Sequence, residues 1–159
     1  MDNYRDLAKE YLSEYKKLDN KIRSLKNEYL LLEDKKERIK SSLNLATGAD
    51  KGGNNHLLEV KQLDPLRKEK QLAGYIDDET RIIDQIRENL ILQFKIENSI
   101  YDLMKLSQKR TVILYKSIDL KTNAEISKIM EYSISQIKRY YDNGLQELGE
   151  ALYKQAKKH

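Results

Sequence analysis

Residues 4–43 read YRDLAKEYLSEYKKLDNKIRSLKNEYLLLEDKKERIKSSL. Alternating steps of four and three from Tyr4 land on Tyr4, Ala8, Tyr11, Tyr15, Leu18, Ile22, Leu25, Tyr29, Leu32, Lys36, Ile39 and Leu43, and of these only Lys36 is polar. A roughly 3.5-residue apolar period is the seam of a long helix that pairs with another helix. The residues between the seam positions are mostly charged or small and polar. About 40 residues at a rise of 1.5 Å make a rod of roughly 60 Å. Such a helix needs a partner for its seam. The balanced charge and narrow stripe do not suit a helix lying on a membrane.

The seam ends near Asn44. Residues 46–55 then hold three Gly and two Asn, which predicts a flexible connection over 46–56. Lys51 lies among these glycines, but the spacing of a phosphate-binding loop is missing and no strand precedes it. Asp64-Pro65 predicts an N-cap and first helical residue, with a short helix from Pro65 to about Ala73 that Gly74 breaks. Asp77 or Asp78 then caps a further helix of about 30 residues, to near Leu106. Ile76, Ile83, Ile86, Leu90, Phe94, Ile100 and Leu103 or Met104 are read as its inner side. This segment, within 57–106, is long enough to fold back antiparallel on the first helix. Pairing of the first seam with a second copy of the chain is equally permitted by the heptads.

The pattern changes after residue 106. A helix over Arg110–Ile118 offers Val112, Ile113, Tyr115 and Ile118 for burial. Thr122 or Asn123 caps a short helix ending at Met130. Glu131-Tyr132 makes a tight turn. Ser133 caps a longer helix, from Ile134 to about Lys154, with Gln136 placed to close a capping box. Ile134, Ile137, Tyr141, Leu145, Leu148 and Leu152 line its inner face, while Ser135, Gln136, Lys138, Arg139 and Asp142 fall outside that stripe. Two helices joined by a short turn, the second opening with small polar and basic residues, form a helix-turn-helix layout. In that layout the helix start meets base edges in the major groove. Gln suits adenine and Arg suits guanine, while Lys and helix-terminal N–H groups hold phosphates.

Charge and composition agree with this placement. The chain has 159 residues and a formal net charge of +4. Residues 103–159 hold eleven Lys/Arg against six Asp/Glu, whereas residues 1–102 hold nineteen against twenty. The excess of positive charge lies where a polyanion would bind. With one Pro, six Gly and no Trp, an all-β fold is excluded and an all-α one expected. The absence of Cys excludes disulfides, thiolate metal sites and a Cys nucleophile, and fits a reducing, cytoplasmic setting. No apolar run spans a membrane, and the start Met1-Asp2-Asn3 lacks a signal-peptide pattern. His56 and His159 have no metal-ligand spacing, and Asp77-Asp78-Glu79 is read as helix capping. No metal, cofactor or enzymatic activity is expected.

Leu120 to Leu148 resembles region 4 of sigma-70-type factors. The resemblance is carried by Ala124-Glu125-Ile126, Tyr132-Ser133, Ser135, the basic pair Lys138-Arg139 and the Leu145/Leu148 repeat. With a long helical region upstream, the chain is similar to the phage and mobile-element late transcription regulators of the RinA and ArpU type, over about residues 105–152. The resemblance implies a regulator of late transcription in a Gram-positive phage, with double-stranded DNA as ligand. Its recognition helix would open at Ser133, and Ser133, Ser135, Gln136, Lys138, Arg139 and Tyr140 would face DNA. Lys121 and Lys128 are further phosphate candidates. The N-terminal coil would serve oligomerisation or contact with RNA polymerase. Glu131 stands where many sigma-like turns have Gly, and no region resembles the promoter-melting part of a sigma factor. A helical scaffold or assembly component, or a small-terminase-like protein, is the competing reading.

Overall fold

The computed structural model describes residues 2–48 and 65–158, and every element among them is helical. The elements are α1 (Asp2–Gly48), α2 (Pro65–Leu103), α3 (Gln108–Ile113) continued by a π-helical turn (Leu114–Ile118), α4 (Asn123–Met130) and α5 (Ile134–Lys157). No helix among the described residues is long and apolar enough to cross a membrane. The connection expected over 46–56 falls mostly outside the described residues, as do residues 57–64, Asp64, His56 and His159. Its first three residues belong to α1, which runs through Ala46 and Thr47 to Gly48, past the end expected near Asn44. Ala favours the helix, and Gly commonly stands at a helix end.

The α1 seam is laid down as its period requires. Ala8, Ile22 and Leu25 are buried, and every other seam position is half-buried. The second segment departs from expectation, because α2 is one helix through Gly74, Asp77 and Asp78. A glycine inside a helix costs about 1 kcal/mol relative to Ala, which a helix of this length absorbs. Asp77 and Asp78 are therefore not caps. Asp78 pairs with Arg81 one turn on. The inner face of α2 also differs from that expected. The positions turned inward are Glu79, Ile82, Ile86, Asn89, Gln93, Ile96, Ile100 and Leu103, an unbroken heptad series. Ile76, Leu90 and Phe94 are exposed instead.

The chain divides into two compact units. In the unit Ile22–Glu88, the single polar residue of the α1 seam has a partner on α2. Lys36 Nζ lies 2.6 Å from Glu79 Oε1 and 3.1 Å from Glu33. Glu79 is buried, and its Oε2 has no hydrogen-bond partner. The hydrogen bond from Lys36 to Glu79 raises the Lys36 pKa above its ordinary value. Lys68 donates to Ser42 in the same unit, and Lys35 stands 5.8 Å over the Tyr75 ring.

The other unit, Met1–Lys21 with Asn89–His159, has two adjoining cores. The first joins Ala8, Leu12, Ile100, Met104, Ile113, Leu145 and Leu148. The second joins Val112, Ile126 and Ile137, with Tyr115, Met130, Tyr132, Tyr140 and Tyr141 packed against them. Gln93 Nε2 donates to the Tyr15 carbonyl at 3.3 Å. Arg110 closes the end of α2 by donating to the Met104 carbonyl at 3.3 Å, a favourable place for a cation. Gly149 lets α5 touch α1. A Cβ there would stand 1.9 Å from the Tyr4 carbonyl oxygen. At Gly144 it would stand 2.8 Å from Ile113 Cγ1.

Gly149→Ala should destabilise the protein by about 1–3 kcal/mol in urea unfolding, despite Ala's higher helix propensity, because backbone must shift to admit the methyl group. Lys36→Met should destabilise more than the double variant Lys36→Met/Glu79→Leu, since the single change strands a buried carboxylate. Equal losses would contradict this pairing. The raised Lys36 pKa makes its contribution complete below the ordinary lysine range and lost as pH rises through the folded value. The stability of the wild type relative to the double variant should therefore fall in strongly alkaline urea titrations.

Candidate nucleic-acid interface

The segment that carries the excess positive charge is built by two capping boxes. At the start of α4, Thr122 Oγ1 accepts from the Glu125 N–H at 3.2 Å, and Glu125 Oε1 accepts from the Thr122 N–H at 3.1 Å. The backbone donor holds the Glu125 carboxyl below its ordinary pKa. At the start of α5, Ser133 Oγ accepts from the Gln136 N–H at 3.2 Å, and Gln136 Oε1 accepts from the Ser133 N–H at 3.0 Å. Each box satisfies two backbone donors that a helix start would otherwise leave open. Thr122, not Asn123, is thus the first cap.

Between these helices lie Glu131 and Tyr132. Glu131 adopts the left-handed region (φ 60°, ψ 34°), the conformation that Gly takes without cost and other L-residues take at about 1–2 kcal/mol. The turn therefore keeps a glycine-like geometry with Glu in place. It is braced by the Glu131 N–H donating to the Ser127 carbonyl at 2.9 Å and by Ser127 Oγ donating to the Tyr132 carbonyl. Leu120, in the connection before α4, is the other non-glycine residue with positive φ (55°) among the described residues.

α5 presents the expected polar residues on one side. Ile137, Leu145 and Leu148 are fully buried. Ser135, Gln136, Lys138 and Arg139 are exposed; at about 100° per residue Ser135, Gln136 and Arg139 project away from that buried face, while Lys138, one heptad before Leu145, stands at its edge. Asp142 is also exposed, one turn beyond Lys138 and Arg139. Ile134, expected on the inner face, is 45% exposed instead, because the first residue of α5 precedes the point where the helix meets its core. Gln136 is exposed and is committed to the cap through Oε1, which leaves its Nε2 donor outside the box. Tyr140 is half-buried, edge-on to Tyr132 with ring centroids 5.4 Å apart. Lys128 is exposed in the last turn of α4, and Lys121 is half-buried.

One basic residue was not foreseen. The helix expected over 110–118 changes at Leu114 into a π-helical turn, in which the Asp119 N–H donates to the Leu114 carbonyl at 3.1 Å. Within that turn Lys116 is half-buried, with Nζ 4.1 Å from the centre of the Tyr141 ring. Burial lowers its pKa; the negative charge of Asp142 opposes that, and the positive charges of Lys138 and Lys9 add to it. Burial likewise raises the Tyr141 pKa. No periodicity marks a π turn in advance. No group of three or more metal-ligating side chains occurs among the described residues.

Thr122→Ala should lower stability by about 1 kcal/mol in urea unfolding. Glu131→Gly should raise it by up to about 1 kcal/mol by relieving the left-handed strain. A loss of stability in Glu131→Gly would contradict the strain. No protein-family model, curated protein or solved structure matches this chain.

Proposed function

We propose that the protein is a sequence-specific double-stranded DNA-binding transcription regulator that reads DNA with the start of α5. The observation that carries this reading is the exposed set Ser135, Lys138 and Arg139. They stand at the opening of a capped helix that is anchored through the fully buried Ile137, Leu145 and Leu148. Arg139 suits a guanine edge. Lys138 and the first N–H groups of α5 suit phosphate oxygens, with Lys121 and Lys128 adding attraction from α4 and its approach. Gln136 contributes a donor through Nε2 while its acceptor holds the cap. The net charge of +5 over residues 103–159 draws the polyanion to this end of the sequence. The proposed role in phage late transcription rests on the resemblance to the RinA and ArpU type, with the helical arm available to contact polymerase. Asp142 lies one turn beyond the basic pair and limits how far along α5 phosphate is welcomed.

The test is a binding titration of the full chain against a random pool of duplex DNA at about 50 and 200 mM salt, with the bound fraction sequenced. An enriched motif and an affinity falling steeply with salt are expected. Arg139→Ala should cost about 1–3 kcal/mol on the enriched site and relax preference at one position. Lys138→Ala should weaken all sequences alike and flatten the log–log salt slope by about one unit. Absence of binding at the lower salt would overturn the reading.

A further inference from the structure

α2 carries two apolar seams, not one. The inner series from Glu79 to Leu103 packs within the chain. A second series is displaced by one residue from it: Ile76, Thr80, Ile83, Arg87, Leu90, Phe94, Glu97 and Tyr101. These positions share one helix, so their alignment follows from the 3.5-residue period alone, about a quarter-turn from the inner seam. Ile76, Leu90, Phe94 and Tyr101 are 46%, 45%, 63% and 47% exposed. The Arg87 side chain is 73% exposed, with an exposed aspartate 3.9 Å away. Glu97 is half-buried. Four large apolar side chains at heptad spacing form a stripe that a soluble monomeric helix rarely shows to water.

The sequence of this stripe is complementary to itself in reverse. Reflected about residue 92, Ile83 meets Tyr101, Arg87 meets Glu97, and Leu90 meets Phe94, each pair occurring twice across a twofold axis. Ile91, 56% exposed, flanks that axis and meets its own copy. A parallel alignment in register would instead set Arg87 against Arg87 and Glu97 against Glu97. We propose that the outer face of α2 is an antiparallel homodimer interface, with two Arg87–Glu97 ion pairs bracketing an apolar centre of Leu90 and Phe94. An interface of this kind is isologous and closes at two copies. Apolar layers supply its affinity, and the charge pairs select its orientation. The contact runs over about 27 Å of helix. The partner is thus a second copy of this chain, held through α2. The α1 seam is buried or half-buried at every position within the chain. This inference is independent of the DNA-binding reading.

Sedimentation equilibrium of the full chain should show a monomer–dimer equilibrium at concentrations up to about 100 μM. Arg87→Glu, an exposed change, should weaken dimerisation about tenfold or more by placing like charges opposite. Arg87→Glu/Glu97→Arg should restore it. Circular dichroism confirms that each variant keeps its helix content. If the Glu97 change disturbs folding, Ile91→Cys decides instead. The chain has no other Cys, and oxidation should link Ile91→Cys chains into covalent dimers more readily than Lys26→Cys chains. A monomer throughout the concentration range, association unmoved by Arg87→Glu, or a double variant no better than the single would each overturn the proposal, as would equal cross-linking at the two positions.

Discussion

The contact between Gly149 and the Tyr4 carbonyl fixes where α5 lies in its unit. A 1.9 Å gap to an imagined Cβ leaves no room for any side chain, so the backbones of α1 and α5 meet directly. One turn and a half earlier, Gly144 admits Ile113. These two glycines, with Leu145 and Leu148 between and beside them, anchor the middle of α5 to α1 and α3. The helix start then projects from a fixed base, held by the Ser133–Gln136 box and by Ile137 in the second core. Loss of the close approach would loosen the base on which Ser135, Lys138 and Arg139 are presented.

Polar residues in the seams set alignment where apolar ones could slip. Lys36 and Glu79 meet across the two helices of one unit, and Gln93 reaches the Tyr15 backbone in the other. Apolar side chains at heptad spacing tolerate a shift by a whole heptad. A buried cation that must find its carboxylate does not. Arg87 and Glu97 play the corresponding role in the proposed dimer, choosing one orientation for a stripe that would otherwise be sticky in either.

Much of this fold was legible in the sequence, and the misses have physical causes. The α1 seam could be read position by position because one apolar stripe runs its whole length. α2 defeated the same reading because two stripes lie one residue apart. Choosing the most hydrophobic residue at each turn picked Leu90 and Phe94 from the outer stripe and Ile86 and Ile100 from the inner. Asn89 and Gln93, which face inward, carried no apolar signal. Gly74 and the Asp77–Glu79 cluster look like a break and a cap, yet long-range packing overrides local preference. Capping boxes depend on residues three apart, so Thr122/Glu125 and Ser133/Gln136 were readable. The π turn at Leu114–Ile118 and the left-handed Glu131 depend on tertiary packing. The candidate reading residues were named from sequence, but the commitment of Gln136 Oε1 to the cap emerged only with the three-dimensional arrangement.

The most direct measurement of the central claim is amide chemical-shift mapping of the full chain, titrated with a duplex taken from the enriched pool. Reading by the start of α5 predicts the largest shifts at residues 133–139, with smaller ones at Lys121 and Lys128. Shifts confined to Lys154–Lys158, or none in α5, would contradict it.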